Sequence, residues 1–449
     1  MTTNTPDPLA PALTTSFDAL NFDEDAALNG RFHIPPDPAG AAGPAHVVNV
    51  VNTSIEWYTK AGVRQNRQAL KNFFAPVVPL TDTFDPKVIY DQYQARFVVL
   101  TMERTEASGS NPNTSRVFIA VSDDSDPNGT WFFHILQTEE LIGSNQSWAD
   151  FPGLAVDSEA IYFTTNMFAH NNQPSAGAFT GQRTWIIAKD PFYSGRAATA
   201  TRYDTATVTG GDGAVATTMQ PAQMYGDVPG GVGTYLVAYS GLRSGGTNFV
   251  QVVRIDNPLS SPIFTGAYSA VGTETADDKT GQALPGAPQL GTTRLIATND
   301  RRVSQNAVFR NNRLHFAAPV LPPGGTDANQ VTAHYFVLDT TTLDAVGDAP
   351  PVDQGNVGGE EIAAGAFTFF PSVSVDAAGN LAIGFAASAP SIYPGSYYTG
   401  RLATAAAGTT QPAAVLRAGV DYYIRTFRDS TTLASRWGDY TGIWLDPSD

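Results

Sequence analysis

One short phrase returns along this chain, and it restricts the fold more than any single residue does. It reads Phe84-Asp85-Pro86-Lys87-Val88-Ile89-Tyr90-Asp91, then Asp150-Phe151-Pro152-Gly153-Leu154-Ala155-Val156-Asp157. It comes back as Phe370-Pro371-Ser372-Val373-Ser374-Val375-Asp376 and as Gly438-Asp439-Tyr440-Thr441-Gly442-Ile443-Trp444-Leu445-Asp446. Each copy joins a turn signal to three or four strand-forming residues and ends on Asp. Three copies are followed by a second apolar run, such as Arg96-Phe97-Val98-Val99-Leu100. A β-hairpin repeated at long intervals decides architecture before other features are weighed.

Looser copies begin at Ala45, Met219 and Asn306, giving seven starts near 45, 87, 152, 221, 306, 371 and 440. Further strand pairs lie between them, for example Arg116–Val121 with Trp131–Leu136. Hairpin plus pair makes four strands, the content of one propeller blade, and ring closure removes open sheet edges. The expectation is an all-β chain: a single β-propeller of seven blades over residues 36–449, with six as the alternative. Residues 1–35 read as an irregular lead-in with at most one strand, which latches the ring by completing the last blade. The abrupt end inside a repeat suggests a natural protein longer than this chain.

Composition agrees with short strands and tight turns: 41 Gly, 31 Pro, 11% aromatic and 15% charged residues in 449. No cysteine is present, which excludes disulfides and thiolate chemistry. A net charge of −16 without any basic run argues against nucleic acid and anionic membrane surfaces as partners. No apolar stretch is long enough to span a bilayer. The first residues, Met1 to Asp7, lack the basic and apolar regions of a signal peptide, so an exported protein would have lost its leader or use another signal.

The repeat supplies the first candidate site. In a propeller the inner strand of each blade starts beside the central tunnel, so Asp85, Asp150 and Asp439, with Asp37 less tightly, would ring one mouth. Converging carboxylates raise one another's pKa or recruit a cation. They would suit Ca2+, or a pair working on a glycosidic bond. The bland alternative is that each Asp caps a turn by accepting backbone N–H bonds. The closing Asp91, Asp157, Asp376 and Asp446 are read as turn residues distant from that mouth. An oxygen-rich loop, Asp123, Asp124, Asp126 and Asn128, is a second calcium candidate, although it lacks the terminal Glu of an EF-hand. Aromatics crowd the last quarter of the chain, and Tyr397 and Tyr398 beside Arg401 and Arg436 could build a shallow sugar site.

Three further stretches carry a resemblance: Ile34-Pro35-Pro36-Asp37-Pro38-Ala39-Gly40-Ala41-Ala42-Gly43-Pro44, Tyr393-Pro394-Gly395-Ser396-Tyr397-Tyr398-Thr399-Gly400-Arg401-Leu402 and Ser435-Arg436-Trp437-Gly438-Asp439-Tyr440. From about residue 30 onward the chain resembles bacterial, mostly exported, sialidase-like (BNR-type) propeller proteins without a settled activity. The resemblance implies a propeller in an extracellular or cell-surface setting and assigns no catalytic residue. The Arg-Ile-Pro signature of true sialidases is displaced here as Arg31-Phe32-His33-Ile34-Pro35. The reading favoured by these residues is a non-catalytic propeller that binds a glycan or surface protein, or serves as a module of a surface assembly. The alternatives are a carbohydrate-active hydrolase or lyase using the axial carboxylates, and a calcium-stabilised scaffold.

Overall fold

A computed structural model describes residues 10–208, 218–244, 247–272, 284–299, 301–303, 307–343, 349–425 and 434–448. Its regular structure is almost entirely β, mostly in antiparallel meanders of four strands, beside a three-stranded sheet of Ala287–Gln289, Thr292–Ala297 and Ala434–Arg436 whose last two strands pair in parallel. The first meander is Ala39–Ala42, His46–Val51, Ser54–Thr59 and Arg64–Ala69; the second is Phe84–Asp91, Arg96–Thr105, Thr114–Ser122 and Trp131–Gln137. The third is Asn145–Val156, Ala160–Ala169, Phe179–Ala188 and Ala200–Tyr203, widened by Glu140–Ile142. The fourth is Gln220–Tyr225, Val232–Ser244, Thr247–Asp256 and Ile263–Gly272. Ala307–Arg310, Arg313–Val320, Thr332–Asp339 and Asp353–Val357 form the fifth. The sixth is Phe367–Val375, Leu381–Ala389, Ile392–Arg401 and Ala414–Arg417.

First strands lie beside first strands. Those of the first four meanders contact one another in order, and the fourth pairs in parallel with the fifth through Ala222 to Tyr225 against Ala307 to Arg310. The first strand of the sixth packs on the first three strands of the fifth. Alternate faces then meet between sheets, each interface filled by its own apolar cluster. Val48, Ile55, Val88, Val99 and Phe118 join the first two sheets, and Val98, Leu100, Leu154 and Phe163 join the second and third. Further clusters fill the three following interfaces. Strands buried on both faces need the near-continuous β-branched and aromatic runs seen in the sequence.

Two expectations meet a different local structure. Among the described residues there are six four-stranded meanders, and the segment from Trp437 to Asp446, which follows the short strand Ala434–Arg436, forms no strand. Its Gly and Pro neighbours and its role between sheets explain this: Tyr440 is fully buried, and Thr441 Oγ1 donates to Phe370 O at 2.8 Å. The lead-in also differs. Among its described residues it supplies no strand but a helix, Phe22–Asn29, capped by Asn21 and Glu24 in a reciprocal capping box. It still ties the sixth sheet to the first: Tyr398 Oη donates to Pro11 O at 2.6 Å, and Leu20 N donates to Glu56 Oε1 at 2.6 Å. Among the described residues no helix is long and apolar enough to cross a membrane.

The recurring phrase has a backbone cause. Asp37, Asp85, Phe151 and Phe370 each precede a proline and each adopt a positive φ, between 43° and 50°. In three of these strands the register slips there, between Phe84 and Lys87, Asp150 and Gly153, and Phe369 and Ser372. These are β-bulges, which unhook one residue from the ladder and aim it elsewhere. Asp tolerates that conformation better than most residues, whereas the two Phe must be held there by packing.

Candidate functional site

The bulges bring the four opening aspartates together. The phrase alone suggested that Asp85 and Asp150 are equivalent, but register shows otherwise. Asp85 sits at the bulge, the position Phe151 holds in the next sheet, and Asp150 lies one residue earlier. Freed from the ladder, the bulge amides bond across sheets. Asp439 N donates to Asp37 Oδ1 at 2.6 Å, and Asn52 Nδ2 donates to Asp37 Oδ2 at 2.6 Å. Asn52 Oδ1 accepts from Asp85 N at 2.7 Å, and Asp85 Oδ2 accepts from Phe151 N at 3.1 Å. One hydrogen-bonded chain therefore runs from the C-terminal segment through the first and second sheets to the third. Part of the bland reading holds, since Asp37 and Asp85 accept backbone N–H groups. Those donors belong to other segments, so the bonds brace sheets rather than cap local turns.

Electrostatics separates the four carboxyls. Burial, reinforced by the charges of Asp150, Asp37 and Asp439, pushes Asp85 far above the usual carboxylate range. Burial and the Asp439 charge push Asp37 up to about 8 and also raise Asp150. The hydrogen bond between Asp85 and Asp150 raises Asp85 and acts the other way on Asp150, so the proton they share sits on Asp85. Asp439 is mostly buried, bonded to Asn299 Nδ2 at 3.0 Å and ion-paired with Arg436. Asp150 is half-buried, near Arg104, whose guanidinium lies 3.8 Å from the Trp148 ring centre. Arg302 stands 4.6 Å from the Phe151 ring centre.

Beneath these groups lies Lys87, a residue the repeat concealed. Its Nζ sits 3.1 Å from the Tyr440 ring centre, and it is 1% exposed. Burial lowers it to about 7 against the pull of Asp85, Asp37 and Asp439. A lone lysine two residues after Asp85, within an apolar strand, was the available signal, as only five lysines occur in the chain. Asn52 and Asn299 carried no signal of this kind.

The other candidates fall elsewhere. Tyr397 lines a cleft between the sixth and first sheets with Trp437 and Tyr440. Tyr398 holds the lead-in through Pro11. Arg401 is buried, ion-paired with Asp353 and bonded to Tyr335 Oη at 3.2 Å. The oxygen-rich loop satisfies itself: Asp123 accepts from Thr130 N, Asp124 from Asp126 N, Asp126 from Asn128 N, and Asn128 from Trp57 Nε1. Among the described residues no three His, Asp or Glu side chains are grouped as a metal site needs. The closing aspartates are turn residues as expected, each accepting backbone N–H bonds within its own hairpin or turn.

No protein-family model matches the chain, and no curated protein matches it. Glycosyl hydrolases and sialidases recur among the solved structures it resembles. The GH43 endo-arabinanase from Bacillus licheniformis is 16% identical with a TM-score of 0.29, over 68% of this chain and 93% of that one. The Trypanosoma rangeli sialidase carrying 2,3-difluorosialic acid is 11% identical with a TM-score of 0.40, over 84% and 55%. An ACO/RPE65 chimera is 8% identical with a TM-score of 0.41, over 85% and 72%. Likeness at this level assigns neither a family nor an activity, so the chemistry rests on the side chains.

Proposed function

We propose that the six meanders are blades of one propeller, closed between the sixth and first by the Trp437–Asp446 segment, and that the axial carboxylates make it a carbohydrate-active hydrolase. The observation carrying this is the contrast between the two carboxyls that are not fully buried. Asp150 is raised by burial and by the Asp439 charge, against the hydrogen bond with Asp85, which works to lower it. Asp439 is held by the Arg436 guanidinium and the Asn299 amide. Environments that separate two neighbouring carboxyls are how acid and base roles are divided. In this reading Asp150, hydrogen-bonded to the protonated Asp85, passes a proton to the leaving glycosidic oxygen, and Asp439, ion-paired with Arg436, acts on the anomeric carbon or on a water. Asp37, Asp85 and Lys87 are positioning residues that hold this pair against the axis.

The test is hydrolysis of a panel of arabinan, galactan and sialylated substrates by the intact chain. Asp150→Asn and Asp439→Asn should each lower kcat at least about 100-fold with folding unchanged. Absence of turnover on every substrate, or full activity in both variants, would sink the reading. A non-catalytic binder is the second reading. It is favoured by the commitment of Asp37 and Asp85 to backbone amides, which is what a structural plug of the tunnel would require.

A further inference from the structure

We infer that the seam between the first and sixth sheets is a binding cleft for an uncharged sugar chain. The other sheet interfaces are filled by apolar clusters, whereas here the two sheets are held apart by the Trp437–Gly442 segment. The remaining space is about 470 Å³, within the usual range for small-ligand sites. Phe385, Tyr397, Tyr423 and Trp437 supply its aromatic lining, with the buried Tyr440 ring behind them. Asn49, Ser372, Ser396 and Thr441 supply uncharged hydrogen-bonding groups between those rings. Among the described residues no Asp, Glu, Lys or Arg lines it.

That combination selects a ligand class. Ring faces pack on the apolar faces of pyranose or furanose rings, and hydroxyl and amide groups meet sugar hydroxyls. A carboxylate-bearing sugar would lose its hydration in the cleft without meeting a cation, so sialic and uronic acids are disfavoured there. The cleft also adjoins the axial carboxylates. Pro36 and Pro38 line it on either side of Asp37, and Trp437 and Tyr440 line it on either side of Asp439, while the Tyr440 ring covers Lys87. Asp439 N donates to Asp37 Oδ1 within this shared wall. As the substrate class of the proposed hydrolase, a neutral glycan, this inference rests on that reading. As a binding site it does not.

Calorimetric titration of the Asp150→Asn protein with arabinotriose, galactotriose and 3′-sialyllactose tests it. At least one neutral trisaccharide should bind, and sialyllactose should bind at least tenfold more weakly than that one. Ser396→Trp, which fills the cleft, should abolish binding. Leu416→Asp, at a lining position already 47% exposed, should weaken it at least tenfold without unfolding the chain. Neutral sugars that do not bind, sialyllactose that binds as well, or variants that bind normally would each overturn the inference. Neutral-sugar binding without turnover by the unaltered chain would remove the hydrolase and leave the cleft. Turnover with binding unaffected by Ser396→Trp and Leu416→Asp would do the reverse.

Discussion

Asp85 Oδ2 accepts a 3.1 Å hydrogen bond from the backbone amide of Phe151, the residue that holds the same bulge position one sheet later. The bond exists because both residues have left their ladders. The bulge at Phe151 frees the donor, and the bulge at Asp85 turns the acceptor toward it. Removing the acceptor leaves a buried N–H without a partner, which costs about 1–3 kcal/mol. Asp85→Ala should therefore lower unfolding free energy by about 2 kcal/mol in urea titrations. Asp85→Asn keeps an acceptor oxygen and should lose less than half as much. Equal losses in the two variants would show that the bond is not what holds the sheets there.

The axial cluster gives stability an unusual pH dependence. Asp37, Asp85 and Asp150 hold protons to higher pH in the folded chain than in the unfolded one. Between the ordinary carboxylate range near 4 and about 8, the folded state binds more protons. Stability from these groups is complete below pH 4 and is lost as the pH climbs through that window. Lys87, lowered to about 7, acts in the opposite sense: above 7 the unfolded lysine is charged while the folded one is neutral, so stability is regained up to its ordinary value near 10.5. The urea midpoint should be lower at pH 8 than at pH 5, and Asp37→Asn should shrink that difference. A midpoint rising from pH 5 to 8 would contradict the assignment.

Much of this was legible because it repeats. The apolar runs around Val88, Leu154, Val373 and Ile383 mark strands whatever their partners, and four convergent aspartates follow from one architecture. What was not legible depended on register. Asp85 and Asp150 look alike in the phrase, yet a bulge shifts them by one position, and only pairing reveals it. Tyr440 copies the phrase without forming a strand, because its neighbours pack between two sheets instead of pairing. The helix at Phe22–Asn29 had a readable capping box in Asn21 and Glu24, which the Pro- and Thr-rich surroundings masked.

The closing aspartates meet a buried lysine away from the axis. Lys189 Nζ lies 2.6 Å from Asp91 Oδ2 and also bonds Asp157 O, with both side chains essentially inaccessible. Removing one partner of such a pair strands a charge and costs about 3–5 kcal/mol. Lys189→Met should lose about that much in denaturant titrations. The double variant Lys189→Met/Asp91→Asn removes the stranded charge, while Asn keeps an oxygen for the amides of Tyr93 and Gln94. It should recover at least half of the loss, and strict additivity would rule out the ion pair as the cause.

The lead-in strap offers a comparison between two carboxylates of one segment. Asp18 pairs with Arg417 of the sixth sheet at 3.2 Å, but both side chains are about three-quarters exposed, so water and salt screen the pair. Asp25 is 4% exposed and accepts from Ser54 Oγ at 2.6 Å and from Asn29 Nδ2 at 3.0 Å, pinning the helix to the first sheet. Loss of Asp25 leaves those donors facing an apolar neighbour. Asp25→Ala should cost about 2 kcal/mol and lower the Tm, whereas Asp18→Ala should change stability by less than about 0.5 kcal/mol. Helix content followed by circular dichroism should fray before the sheets melt in the first variant and not in the second. Equal melting of the two variants would mean that the strap is held by its apolar contacts alone, with Phe17 against Tyr58 the first to examine.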